Sequence, residues 1–83
     1  MIINIKILGT GCTKCKNLEK VTREVVIENN FDADIQKVED ITQIMTYGVM
    51  MTPALVVNEK VLFSGRVPSK SEIKNYIDKS ING

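Results

Sequence analysis

Histidine and tryptophan are absent from this 83-residue chain, and cysteine occurs only twice. Without histidine, neither a Ser–His–Asp triad nor a Cys–His pair can be built. Two cysteines alone also cannot fill a closed four-ligand zinc site within one chain. Catalysis by those units is therefore excluded and a structural zinc centre is disfavoured, so any cysteine chemistry has to come from the two thiols themselves.

A strong charge of one sign is also missing, because the net charge is +1 and the 11 basic residues are spread along the chain. Such a chain has little electrostatic attraction for nucleic acid or an anionic membrane. No stretch approaches the about 18 consecutive apolar residues of a transmembrane helix. The apolar start, Met1–Leu8, lacks a basic leader and a small-residue cleavage site. We therefore expect a cytoplasmic monomer without nucleic-acid or membrane partners. In the reducing cytoplasm, two cysteines rarely form a structural disulfide.

Strand and helix signals alternate along the chain and predict one α/β domain over residues 1–83. Alternating Ile3, Ile5 and Ile7 predict a strand. Apolar residues three to four apart then predict a helix from Thr13 to about Asn29. The later patterns predict an edge strand from Phe31 to Ile35 and a short helix capped by Asp40 and ended by Gly48. They also predict a buried strand Ala54–Val57 in a hairpin with Val61–Phe63. A last helix is predicted after a Ser69–Glu72 capping box.

The predicted order is therefore β-α-β-α-β-β-α, with a central four-stranded mixed sheet flanked by helices. A right-handed crossover makes the first two strands parallel, whereas the hairpin strands are antiparallel. Lys6 falls within the central strand, where we expect its amine to keep a route to solvent. The residues predicted to face the core from the three helices are Cys15, Leu18, Val21 and Val25, then Ile41, Ile44 and Met45, and finally Ile73, Tyr76, Ile77 and Ile81. Arg66 and Lys70 are interpreted as solvated charges.

A C-x-x-C motif, Gly11-Cys12-Thr13-Lys14-Cys15, lies at the first strand-to-helix junction and indicates redox chemistry. One helical turn places both sulfurs on the same face, within reach of a disulfide. Cys12 would lie at the helix N-terminus, which favours its thiolate and lowers its pKa, with Lys14 or Lys16 as further support. Cys15, on the apolar face, would stay protonated and then resolve the mixed disulfide that Cys12 forms. The alternative is two small buried hydrophobic residues.

A second motif, Met50-Met51-Thr52-Pro53-Ala54, precedes the buried strand. Taken alone, Pro53 is an ordinary proline at a strand start. Met50 and Met51 either line an apolar groove beside Cys12 or pack in the core. Tyr47 either covers the rim of the site or packs to close the second helix, and we favour packing.

Together, Cys12-Thr-Lys-Cys15, Thr52-Pro53 and the element order resemble the thioredoxin/glutaredoxin superfamily, in particular small prokaryotic thioredoxin-like proteins called redox-active disulfide proteins. The stretches that carry the resemblance are Gly9–Cys15, Tyr47–Leu55 and Gly65–Lys70, and it spans nearly the whole chain. The resemblance implies a cis Pro53 that faces the cysteine pair. It also implies that Gly11, Thr13, Lys14, Thr52 and Pro53 form the substrate-binding site, with the Thr52 backbone pairing with an extended substrate segment.

Two departures from the superfamily pattern matter. Thioredoxins carry a buried acid in the strand before the motif, whereas Ile5, Ile7 and Leu8 offer none, so proton transfer from Cys15 must use water or another group. Glutaredoxins carry a Gly-Gly-x-Asp element where this chain has Gly65-Arg66-Val67-Pro68. The resemblance therefore does not extend to glutathione binding, and the upstream thiol reductase is left open.

The leading functional hypothesis is a cofactor-free thiol–disulfide oxidoreductase that acts on disulfides of proteins or small molecules. The alternative is a Cu(I)-binding or chaperone protein that uses the same two thiolates, with methionines nearby. Copper-chaperone domains, however, resemble β-α-β-β-α-β and end in a strand. A third hypothesis is a non-catalytic adaptor that has kept the fold.

Overall fold

Within residues 2–11 and 13–82, which the computed structural model describes, four strands and three helices alternate in the predicted order. They are β1 (Ile3–Leu8), α1 (Thr13–Glu28), β2 (Ala33–Val38), α2 (Ile41–Thr46), β3 (Ala54–Val57), β4 (Lys60–Ser64) and α3 (Lys70–Asn82). The element order β-α-β-α-β-β-α is therefore confirmed.

The strands form one mixed sheet in the order β2-β1-β3-β4. β1 runs parallel to β2, with Ile7 opposite Lys37, because α1 provides the crossover between them. β3 is antiparallel to both neighbours, and Ile7 pairs with Leu55 on its other side. β1 and β3 are therefore the central strands, and the prediction that β2 lies at an edge is confirmed.

Two apolar layers enclose the sheet, one on each face. Alternation sends Ile3, Ile5 and Ile7 of β1 toward α1 and α3. The smaller layer, on the other face, lies under α2 and contains Leu8, Val38, Ile44, Val49, Ala54 and Val56. Since β3 contributes to both layers, all four of its residues are buried, as the continuous apolar run predicted.

Helix α1 ends where Asn30 adopts a positive φ of 54°, close to the predicted end. The Asn29 side chain donates to the Val25 carbonyl at 2.9 Å and caps the last turn. Cys15, Leu18 and Val25 are buried as predicted. Thr22 is buried as well, although the sequence pattern had not singled it out, while Val21 is only partly covered.

In the two later helices, fewer residues face the core than their amphipathic patterns predicted. In α2 the Asp40 carboxylate accepts from the Thr42 amide at 2.8 Å, so the predicted cap is confirmed. The six-residue helix is less than two turns long, and of its predicted core positions only Ile44 reaches the sheet. The prediction that Ile41, Met45 and, in the last turn of α3, Ile81 face the core was wrong, since they are 61%, 67% and 40% exposed.

Lys70 and Arg66 are exposed, as expected of solvated charges, but each also has at least one carboxylate partner that the sequence did not indicate. Lys70 Nζ lies 2.9 Å from Glu28 and 3.3 Å from Glu24, so it links α3 to the adjacent α1. Arg66 bonds Glu72 at 3.2 Å and the Tyr76 hydroxyl at 2.7 Å. Packing of α3 beside α1 and the hairpin brings these partners within reach of the long basic side chains.

Candidate active site

The junction between β1 and α1 is the short loop that carries the C-x-x-C motif. Gly9 continues the sheet pairing by donating its amide to the Val38 carbonyl at 3.0 Å. Gly11 then adopts a φ of +86°, a conformation that side chains other than glycine rarely take. Helix α1 begins at Thr13. Cys12, the predicted nucleophile, lies outside the described residues.

Cys15, the third residue of α1, is 6% exposed and lies directly over Gly9. A methyl group added to Gly9 would overlap the Cys15 sulfur and come within 3.0 Å of its Cβ. The absence of a side chain at Gly9 is therefore what lets the sulfur approach the end of β1 so closely.

The Thr52–Pro53 peptide bond is cis, as the resemblance implied. Pro53 is fully buried, and its carbonyl accepts from the Gly65 amide at 2.7 Å. Thr52 remains partly exposed. Its Cβ lies 3.9 Å from the position that a Gly9 Cβ would occupy. Thr52 and the Cys15 sulfur therefore both lie close to Gly9. The structure thus brings Cys15 and the Thr52–Pro53 turn together around Gly9.

The surroundings of this centre are open and partly apolar. Thr13 and Lys14 are exposed in the first turn of α1. Met50 and Met51 are 97% and 64% exposed, so the alternative that they pack in the core was wrong. The Met51 side chain lies against Gly65, with its Cε 3.3 Å from the position of an added Cβ. A substrate could reach this surface without displacing buried side chains.

Tyr47 closes α2 and packs against the smaller apolar layer, as predicted. Its hydroxyl also takes part in a polar cluster with Lys6 and Glu59, at 3.0 Å from each. Lys6 Nζ lies 2.7 Å from Glu59, and these hydrogen bonds raise the pKa of Lys6 and lower that of Glu59. The sequence predicted a solvent route for Lys6 but indicated neither of these partners.

A pocket of about 60 Å³ lies beside Cys15 and was not found from the sequence. Charged side chains of α1 and of the end of β2 line it, namely Lys16, Glu19, Lys37 and Glu39. One signal was available, because Glu19 follows Cys15 by one helical turn. Lys37 lies beyond the predicted strand Phe31 to Ile35, and its place opposite β1 is seen only in the structure.

Two further observations concern the described residues 2–11 and 13–82. Within them, no group of three cysteine or acidic side chains is arranged to hold a metal ion. None of their helices combines the length and apolar character needed to cross a membrane. The observed order β-α-β-α-β-β-α also differs from the β-α-β-β-α-β order of copper-chaperone domains.

The four-stranded mixed sheet, the C-x-x-C junction and the adjacent cis-proline turn define a thioredoxin-like protein. The sequence model of the family described as "Thioredoxin domain" matches residues 3–78. The chain therefore belongs to the thioredoxin domain family.

Two archaeal proteins named thioredoxin align over nearly the whole chain. The one from Methanothermobacter thermautotrophicus is 41% identical over 76 residues, covering 92% of this chain and 99% of its own length. The one from Methanocaldococcus jannaschii is 34% identical over 83 residues, covering 100% of this chain and 95% of its own length. At this similarity the chain is a thiol–disulfide oxidoreductase in the general sense that the family shares.

Among solved structures, glutaredoxin 1 from Francisella tularensis superposes with a TM-score of 0.47 at 18% sequence identity. The match covers 98% of this chain and 99% of that chain. A superposition this loose supports no argument about function.

Proposed function

We propose that the chain reduces disulfide bonds through Cys12 and Cys15, with Cys12 as the nucleophile. The Cys12 thiolate attacks one sulfur of the substrate, which forms a mixed disulfide and releases the other substrate sulfur as a thiolate. Cys15, after losing its proton, attacks Cys12 and releases the second substrate thiolate. The substrate gains two electrons, the protein is left with a Cys12–Cys15 disulfide, and an upstream thiol reductase returns it to the dithiol.

The observation that carries this proposal is the position of Cys15. Its sulfur is buried against Gly9, beside the cis Thr52–Pro53 bond and within the first turn of α1. A sheltered thiol suits the resolving role, because it meets the mixed disulfide from inside the protein. Cys12 directly precedes α1 in the sequence, where the positive end of a helix would stabilise a thiolate.

The substrate would bind over the exposed surface around this centre. We expect the partly exposed Thr52 to offer its backbone to an extended substrate segment, as in strand addition. Pro53, being buried, would act by shaping the turn that presents Thr52. Gly11, Thr13 and Lys14 flank Cys12 in the sequence and are exposed, and they would contact the residues that flank the substrate disulfide.

The test is reduction of insulin disulfides in the presence of dithiothreitol, which replaces the upstream reductase. Cys12→Ser should abolish turnover. Cys15→Ser should lose turnover but retain a stable mixed disulfide with the substrate, detectable by mass spectrometry. Lys20→Gln, an exposed change elsewhere on α1, serves as the matched control and should stay active. Full activity in both cysteine variants would refute the proposal.

A further inference from the structure

The resolving step leaves a proton to be accounted for. Cys15 is buried and must lose its S–H proton before it attacks Cys12. Strand β1 provides no acid or base for this, because its buried residues nearest the junction, Ile7 and Leu8, are apolar. The group that takes the proton must therefore come from another element or from solvent.

The pocket beside Cys15 provides such a route. Its volume of about 60 Å³ exceeds the roughly 10–15 Å³ that a cavity needs to hold a water molecule. It borders Cys15 and Gly9 on one side and charged groups on the other. Water held there would have the polar partners that a stable position requires.

Of the two carboxylates that line the pocket, Glu19 is the more firmly held. Its side chain is 20% exposed, and it lies one helical turn after Cys15, on the same face of α1. Arg23 Nε lies 3.1 Å from one carboxylate oxygen and Lys37 Nζ lies 3.5 Å from the other. Glu39, by contrast, is 59% exposed and has its closest pocket contact with Lys37 at 3.8 Å.

We propose that Glu19, positioned by Arg23 and Lys37, accepts the Cys15 proton through water in this pocket. The Cys15 S–H bond breaks first, and the resulting thiolate attacks the Cys12 sulfur of the mixed disulfide. The proton passes to the Glu19 carboxylate, and the electron pair of the broken disulfide leaves with the substrate thiolate. Glu19 then returns the proton to solvent or to that thiolate. This assignment rests on the redox role proposed above and names the base for its second step.

The two steps can be separated with 5,5′-dithiobis(2-nitrobenzoate), an aromatic disulfide that releases a coloured thiolate. Attack by Cys12 releases one thionitrobenzoate at a rate proportional to reagent concentration. Attack by Cys15 on the resulting mixed disulfide releases the second at a rate independent of reagent concentration. Stopped-flow absorbance measures both phases in one experiment.

Glu19→Gln should slow the second phase by about 100-fold at neutral pH, the lower end of what general base catalysis typically contributes. The first phase should not change. If Glu19 acted only through its charge, its removal would let Lys16 and Lys37 favour the Cys15 thiolate more strongly. The second phase would then not slow. At alkaline pH, where the thiol ionises without a base, the variant should regain the wild-type rate. Misfolding could not produce that recovery.

Glu24→Gln is the matched control, since it removes the same charge from α1 but pairs with Lys70, away from the pocket. It should leave both phases unchanged. An equal second phase in wild type and Glu19→Gln across the pH range, or slowing only in Glu39→Gln, would overturn the assignment of Glu19. If instead only one thionitrobenzoate is released by the wild type, the proposed dithiol function itself fails.

Discussion

The Lys6 ammonium on central strand β1 lies 2.7 Å from a carboxylate oxygen of Glu59 in the turn between β3 and β4. The Tyr47 hydroxyl donates to the other Glu59 oxygen at 3.0 Å, and the Lys6 ammonium lies over the Tyr47 ring, 5.7 Å from its centroid. This cluster joins the end of α2 to the hairpin turn on the face of the sheet that α2 covers. It gives a lysine within a central strand a charged partner at the surface.

The pKa of Glu59 should therefore depend on both partners, and unequally. The hydrogen bond from Lys6 is the largest cause of its lowered pKa, followed by that from Tyr47. Replacing Lys6 with Met should raise the Glu59 pKa more than replacing Tyr47 with Phe does. Titration of the Glu59 side-chain carboxyl by NMR measures both values directly, and an equal or reversed order would contradict the arrangement.

The stability of the folded protein at acidic pH should depend on the same Glu59 carboxyl group. Because the pKa of Glu59 is lower in the folded chain than in the unfolded one, ionised Glu59 stabilises the fold at neutral pH. This contribution is present above the unfolded pKa of about 4.3 and is lost as the pH falls through the lower folded value. Urea unfolding between neutral and acidic pH should show a smaller loss of stability for Glu59→Gln than for wild type. Identical pH profiles would show that the ion pair does not persist in solution.

Replacing Gly9 by a residue with a side chain should destabilise the protein as long as Cys15 is present. Gly9→Ala would place a methyl group onto the Cys15 sulfur, so we expect a loss of roughly 1–3 kcal/mol in the free energy of unfolding, as for other overpacked cores. In a Cys15→Ala background the overlap with sulfur disappears, and the same change should cost less. A double-mutant cycle by urea denaturation measures that difference. Equal costs in both backgrounds would mean that the sulfur does not lie against Gly9.

The fold followed from the sequence because its signals are local and periodic. Alternating isoleucines, the run Ala54–Val57 and the caps at Asp40 and Ser69 each act over a few residues, and the structure contains each of them. The failures were at Ile41, Met45 and Ile81, where helical periodicity was correct but the helix was too short or extended past the sheet. Periodicity states which residues share a face and not how much of that face a neighbour covers.

The site was predictable only where it is contiguous in sequence. The C-x-x-C motif and Thr52-Pro53 are short motifs, and the cis bond that the resemblance implied is present. The charged pocket and the Lys6 cluster join residues from separate elements, so their composition depends on the register between strands and on side-chain length. Lys37, for instance, reaches Glu19 only because β2 pairs in parallel with β1 and places it beside the start of α1.

Thr22 offers a route to a more stable protein without touching the site. Its side chain is fully buried in α1, and its hydroxyl oxygen has no hydrogen-bond partner among the described residues. Valine has nearly the same shape and the same β-branching, so Thr22→Val should relieve an unsatisfied polar group at little cost in packing. We expect an increase of about 1 kcal/mol in the free energy of unfolding, equivalent to roughly 4–8 °C in Tm for a domain of this size. Thr22→Ala, which removes the hydroxyl but leaves a void, should be less stable than Thr22→Val in the same calorimetric measurement. A lower Tm for Thr22→Val than for wild type would show that the hydroxyl is hydrogen-bonded in solution, for example to a buried water molecule.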